Sequence, residues 1–132
     1  GVEVAWRNVA LMIGHWHILG YGPWIVTANG TGEVLGRVGL WNAPGGSGLE
    51  LGWTVRRSVW GRGIATEAAR AALTWGWTHL EHDEVLCVIH ATNGPSVRIA
   101  EKLGARQKHH HGEGDAKVLT YCIARPSVPA SL

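Results

Sequence analysis

Cysteine is scarce in this sequence, phenylalanine is absent, and no apolar run is long. The two cysteines, Cys87 and Cys122, are too few for a disulfide framework, which leaves a reducing, cytoplasmic location as the default. No apolar stretch approaches the ~20 residues of a membrane-spanning helix, and no secretory signal is visible. We therefore expect a cytoplasmic protein without a membrane partner, in which tryptophans fill the aromatic positions of the core.

An excess of charge of one sign is also missing, because 12 basic and 10 acidic residues leave a formal net charge of only +2. Nucleic-acid binders commonly carry a stronger basic bias, so we expect no nucleic-acid partner. Arg56, Arg57 and Arg62 nevertheless cluster at one turn. This cluster indicates either a site for an anionic ligand or a solvated basic turn, and a basic-surface nucleic-acid binder remains an alternative.

A length of 132 residues is enough for one domain, spanning 1–132, and too short for two domains with separate cores. Periodicity and turn residues predict helices over 3–19, 61–80 and 93–103 and strands over 24–27, 33–41, 49–55, 85–89, 105–111 and 117–124. This order predicts a mixed α/β sheet in a single domain.

The glycine turn, Trp60-Gly61-Arg62-Gly63-Ile64-Ala65, leads from a predicted strand into the long helix. Glycine lets the backbone approach a ligand closely, and a helix amino terminus offers unpaired N–H groups to an anion. A dinucleotide fingerprint would need glycine or alanine where Thr66 stands, and a P-loop would need a Gly-Lys-Ser/Thr ending. The turn therefore predicts another phosphate ligand, with a glycine-rich turn that binds nothing as the alternative.

Two longer segments carry a family resemblance. The stretch Leu49-Glu50-Leu51-Gly52-Trp53-Thr54-Val55, followed by the glycine turn, resembles the coenzyme A site of the GNAT superfamily of N-acetyltransferases. About thirty residues on, Asn93-Gly94-Pro95-Ser96 and Glu101-Lys102-Leu103-Gly104-Ala105 are similar to the second signature of that family. The resemblance covers about residues 20 to 125 and is strongest to the branch of ribosomal-protein-alanine (Rim-type) acetyltransferases.

The resemblance implies a mixed, largely antiparallel sheet flanked by helices, in which a splayed parallel strand pair, 49–55 and 85–90, opens a V-shaped cleft. Superfamily domains usually begin with one more strand and helix than this sequence shows. Without them one sheet edge would be exposed, which is a liability that proteins usually cover. We expect a truncated start, a naturally short protein, or a homodimer in which a second chain covers the edge.

The implied cosubstrate is acetyl-CoA. Its pantetheine arm would bond the backbone near Trp53 and Val55, and its pyrophosphate would meet the N–H groups of the glycine turn. The N–H groups in question belong to Gly61, Arg62, Gly63, Ile64 and Ala65. Side chains of Arg56, Arg57 or Arg62 could add charge at a phosphate. Trp60 departs from the glutamine or arginine common at this position, so the turn relies on backbone groups.

The resemblance also implies catalytic residues. Glu50 matches an acidic position that often serves as the base that takes the proton of the attacking amine, frequently through water. A solvent-facing carboxylate is the alternative for Glu50. Many members carry a tyrosine that acts as the acid at the position of Ala100. Here Ser96, or else water, would protonate the thiolate. Asn93 would orient the arm of the cofactor or a water molecule, although it is also a good helix cap.

The resemblance therefore implies an N-acetyltransferase that moves an acetyl group to a primary amine by direct attack in a ternary complex. The amine could belong to a protein N-terminus or to a small molecule. A non-catalytic acyl-CoA-binding module, or a decayed enzyme, is the alternative. We expect no metal site, because neighbouring residues of a strand alternate faces and His109, His110 and His111 cannot converge on one ion.

Overall fold

The computed structural model describes residues 1–127, which form one six-stranded sheet and three helices. The helices are α1 (Val2–Leu19), α2 (Ile64–His79) and α3 (Gly94–Lys102). The strands are β1 (Pro23–Thr27), β2 (Val34–Trp41), β3 (Glu50–Val55), β4 (Glu84–His90), β5 (Arg106–His111) and β6 (Val118–Ala124). Every predicted helix and strand is present, and the predicted fold class is confirmed.

The strand order is β1-β2-β3-β4-β6-β5, and every neighbouring pair is antiparallel except β3 and β4. These two parallel strands share a single registered pair, Glu50 with Leu86, next to a 2.8 Å bond from Leu86 N to Leu49 O. Beyond Glu50 the strands diverge. The predicted splayed pair is therefore present, and its open end lies near the ends of β3 and β4.

The core lies between the sheet and α2. Leu40, Val85 and Cys87 are fully buried, and burial raises the pKa of the Cys87 thiol to about 12. Cys87 therefore stays protonated and packs as a small apolar residue. Gly76 lets α2 lie close on β2, because a Cβ at this position would come within 2.9 Å of Leu40 Cδ1.

Helix α1 is held to the sheet near its carboxyl end. The ring of buried His15 stacks on Trp41 with centroids 4.5 Å apart, and its Nε2 accepts a 2.9 Å bond from Asn42 N. Its Nδ1 therefore carries the hydrogen that is donated to Tyr21 O over 2.7 Å. Trp16 Nε1 adds a 2.6 Å bond to the backbone of β1.

The carboxyl end of α2 is held by Arg125, which follows β6. Its guanidinium donates to the carbonyls of Trp77, Leu80 and His82, and it lies over the Trp77 ring. These bonds satisfy carbonyl groups at the end of the helix that would otherwise lack partners. Within residues 1–127, no helix has both the length and the apolar character needed to cross a bilayer.

Candidate functional site

The first cleft, of about 520 Å³, opens between the end of β3, the glycine turn, the first turn of α2 and one side of α3 along its whole length. The predicted cofactor residues that line it are Trp53, Val55, Gly61, Gly63, Ile64 and Ala65, and the predicted catalytic residues that line it are Asn93 and Ser96. The fold thus brings together the two sequence signatures, which lie about thirty residues apart. They meet because β3 and β4 diverge and each is followed by a helix.

The glycine turn supplies the amino terminus of α2. Gly61 and Gly63 have φ angles of 78° and 74°, which favour glycine, and Gly63 is the first residue before the helix. In the described part of the chain, the N–H groups of residues 63–66 have no backbone or side-chain acceptor. A Cβ at Gly61 or Gly63 would meet no atom within 4 Å. Residues 63–66 also line the first cleft, so four donors without a partner border it at the positive end of a 16-residue helix.

The arginines of the turn do not line this cleft. Arg56 donates to the carboxylate of Glu33, and the guanidinium of Arg57 lies 5.3 Å from the ring centroid of Trp60. Arg62 is exposed. Two of the three arginines thus already have partners within the protein.

Trp60 also has a partner within the protein. Its Nε1 donates a 2.8 Å bond to the Val55 carbonyl, while the residue stays 58% exposed. The ring therefore stands at the rim of the cleft, beside the end of β3. The indole N–H of Trp60 is thus already used within the protein.

Asn93 and Ser96 form the first turn of α3. Asn93 Oδ1 accepts a 3.2 Å bond from Ser96 N, so Asn93 caps the helix. Across the cleft, Trp53 Nε1 donates to Ser96 Oγ over 3.2 Å. An indole N–H can only donate, so the Ser96 oxygen is the acceptor and its own hydrogen remains available to another group. Sequence reasoning missed this contact between residues 43 positions apart.

Glu50 lies at the closed end of the splay, outside the first cleft. Partial burial of this side chain raises the pKa of its carboxyl above the ordinary value of 4.5. The raised pKa reflects the loss of water around the charged form. A partly buried carboxylate with a raised pKa suits a base better than a fully solvated one does.

A second cleft, of about 350 Å³, lies on the opposite face of the sheet, beside α1. Its lining includes Arg37 and Trp41, which stand at odd positions of β2, whereas the fully buried Leu40 between Gly39 and Trp41 faces α2. Glu50 is the registered partner of Trp41, so its side chain shares this face. Trp53 and Thr54 line both clefts.

The histidines of β5 are exposed, and the rings of His109 and His111 lie 5.0 Å apart. Among residues 1–127, no group of three or more histidine, cysteine, aspartate or glutamate side chains is placed to hold a metal ion.

Comparisons with known proteins agree on a family. Residues 2–106 match the model described as the acetyltransferase (GNAT) domain. YkkB, an uncharacterized protein of Bacillus subtilis strain 168, is 37% identical over 89 residues, which are 64% of this chain and 52% of YkkB. The chain thus spans about half the length of the curated relatives that it matches.

Solved structures show the same fold. The acetyltransferase from Agrobacterium tumefaciens strain C58 is 27% identical, with a TM-score of 0.82 over 92% of this chain and 71% of that one. The yncA protein of Salmonella typhimurium, solved with its cofactor acetyl-CoA, has a TM-score of 0.76 over 96% of this chain and 78% of that one. At 14% identity the second likeness concerns the fold alone. The match to the GNAT model covers 105 of the 132 residues of this chain, and the chain therefore belongs to the GNAT acetyltransferase family.

Proposed function

We propose that this chain carries the catalytic centre of an N-acetyltransferase, which moves an acetyl group from acetyl-CoA to a primary amine. One observation carries the proposal: four unpaired N–H groups of α2 open into a cleft that Asn93 and Ser96 also line. Such a helix terminus binds phosphate well. The first cleft would therefore hold acetyl-CoA, with its pyrophosphate on the glycine turn.

The splay of β3 and β4 supports the placement of the pantetheine arm. No registered pair joins the two strands beyond Glu50, so the edge of β3 at Trp53 and Val55 faces the cleft. Backbone groups on such an edge can bond an extended ligand as a neighbouring strand would. The Val55 carbonyl already accepts one hydrogen bond, from Trp60 Nε1. We propose that the arm bonds Trp53 and the remaining free groups near Val55.

The chemistry needs a base on the amine side and an acid on the thiol side. We assign the base to Glu50, acting through water, because its carboxyl has a raised pKa and shares the face of the second cleft. We assign the acid to Ser96, whose oxygen accepts from Trp53 Nε1 and whose hydrogen is free to reach a thiolate. Acetyl-CoA supplies the thioester that the amine attacks.

The acceptor amine would enter through the second cleft. We propose that this amine belongs either to a protein N-terminus, as in the Rim-type branch, or to a small molecule. The homodimer is also a proposal, since the edge strands β1 and β5 each have one partner in the sheet. A non-catalytic acyl-CoA-binding module is the second candidate, and Ala100 favours it because the usual tyrosine is missing there.

The test compares Glu50→Gln with Glu84→Gln, a carboxylate at the start of β4 that forms an ion pair with Lys108. We expect Glu50→Gln to lower kcat by about 10²-fold or more, the usual contribution of a general base, without changing the affinity for CoA. Release of free thiol with a panel of amines measures turnover, and calorimetry measures binding. Equal turnover in the two variants removes Glu50 from the mechanism. Binding without turnover across the panel favours the non-catalytic module.

The pH dependence gives a second readout. A base acts when it is deprotonated, so kcat/KM should rise with pH through the raised pKa of Glu50, above 4.5. The free energy of unfolding should fall over the same pH range. A carboxyl whose pKa is raised by folding stabilises the fold below its unfolded pKa and loses that contribution as pH rises through the folded pKa. Glu50→Gln should show neither the rise in kcat/KM nor the loss of stability over this pH range.

A further inference from the structure

The charged side chains that line the first cleft come from α3, not from the glycine turn. Within residues 1–127 the lining contains two cations, Arg98 and Lys102, and no carboxylate. Residues four apart lie on the same face of a helix, so both cations point toward the side of α3 that forms the cleft wall. Pro95 and Ile99, which have the same helical spacing, line the cleft beside them.

Both cations are available to a ligand. The three ion pairs in the described part of the chain are Arg7–Glu3, Arg56–Glu33 and Lys108–Glu84, and neither Arg98 nor Lys102 takes part in one. Both residues are exposed, so a bound anion need not displace an existing partner.

Two observations locate the residues that carry these cations. Arg70 of α2 donates a 3.1 Å bond to the Lys102 carbonyl, which ties the end of α3 to the side of α2. Arg98 folds back toward the start of α3, since its Nη1 lies 3.3 Å from the place that a Cβ of Gly94 would occupy. The two charges therefore stand along one wall of the cleft that the free N–H groups of α2 also face.

We propose that Arg98 and Lys102 bind phosphate groups of the CoA nucleotide, a role for which the sequence had favoured Arg56, Arg57 and Arg62. This inference rests on the proposed function. The four N–H groups of α2 can satisfy one phosphate group with neutral donors, and CoA carries a pyrophosphate and a separate 3′-phosphate. Side chains with a full positive charge make the stronger, charge-assisted bonds that the remaining phosphate oxygens need.

The experiment is calorimetric titration of CoA and of 3′-dephospho-CoA into three proteins at two salt concentrations. These are the wild type, the double variant Arg98→Gln/Lys102→Gln, and the control Arg106→Gln/Lys117→Gln. The control removes the same net charge at positions that do not line the first cleft. Thermal unfolding by circular dichroism checks that all three proteins are folded.

We expect the Arg98/Lys102 variant to bind CoA about tenfold more weakly, with a smaller loss of affinity on raising the salt concentration. The control should bind CoA as the wild type does. If the cations face the 3′-phosphate, the variant and the wild type bind 3′-dephospho-CoA equally. If they face the pyrophosphate, the variant loses affinity for both ligands.

Affinity within twofold of the wild type for both ligands overturns the inference and leaves the proposed function standing. An equal loss in the control also overturns it, because the effect would then come from net charge. If the wild type binds neither ligand, the proposed function itself fails, and the inference fails with it.

Discussion

The amino termini of α2 and α3 line the same cleft but are built differently. The first turn of α3 is closed by its own chain, because Asn93 Oδ1 accepts the Ser96 N–H and Pro95 has no N–H to satisfy. The first turn of α2 has only Gly63 before it, in a left-handed conformation and without a side-chain cap. An uncapped terminus costs the free protein stability that a bound anion can restore. The difference separates a terminus that serves the fold from one that is available to a ligand.

The largest expected effect comes from placing a negative charge at the open terminus. Gly63→Glu should weaken CoA binding by about 100-fold or more, because a carboxylate would stand where we place a phosphate. Calorimetry with acetyl-CoA measures the change. Gly104→Ala is the control, since Gly104 also has a positive φ of 86°, open space around its Cβ and no place in the cleft lining.

Both substitutions put a side chain at a left-handed position, so both should lower the free energy of unfolding by about 1–2 kcal/mol. Only the variant at Gly63 should lose the ligand. Undiminished CoA binding in that variant would remove the glycine turn from the site and end the contrast between the two termini.

The next effect concerns the closed terminus. Asn93→Ala should lower the free energy of unfolding by about 1 kcal/mol, because Ser96 N loses its acceptor. Asn93→Ser, which keeps a capping oxygen, should recover most of this loss. Urea unfolding measures both variants, and CoA titration shows whether Asn93 also orients the cofactor. If Asn93→Ser restores stability and not affinity, the amide has a second role beyond the cap.

The smallest effect comes from Glu67, an exposed acidic residue in the first turn of α2. Its charge favours the positive end of the helix and opposes a bound phosphate. Glu67→Gln should therefore lower the free energy of unfolding by less than about 1 kcal/mol and slightly raise the affinity for CoA. A lower free energy of unfolding in urea, together with a higher CoA affinity by calorimetry, would sharpen the contrast between a free and an occupied terminus. A loss in both would count against it.

Local features made the fold predictable. The glycine pair before an alanine-rich run predicts the start of α2, and the apolar run 85–89 predicts a buried strand. The two family signatures also predict the glycine turn, Asn93 and Ser96 as parts of one site. The structure places Asn93, Ser96 and every residue of the glycine turn except Arg62 on one cleft. These features depend on neighbours in sequence, or on spacing that the family preserves.

Contacts between distant residues could not be predicted in this way. The sequence does not reveal that Arg56 has Glu33 as its partner, or that Trp53 reaches Ser96 across the cleft. Nor does the sequence reveal that His15 is buried, because its bond with Asn42 N joins positions 27 apart. For Arg98 a signal was available, since its spacing from Lys102 marks one helical face, but a pair of exposed cations on a helix is usually only solvated.

The single strand β3 separates the two clefts, and Trp53 and Thr54 border each of them. On the proposed assignment, the nucleotide substrate and the amine arrive from opposite faces of the sheet, and neither obstructs the entry of the other. Initial-velocity lines for the two substrates should then intersect rather than run parallel. Free CoA, as a product, should compete with acetyl-CoA but not with the amine.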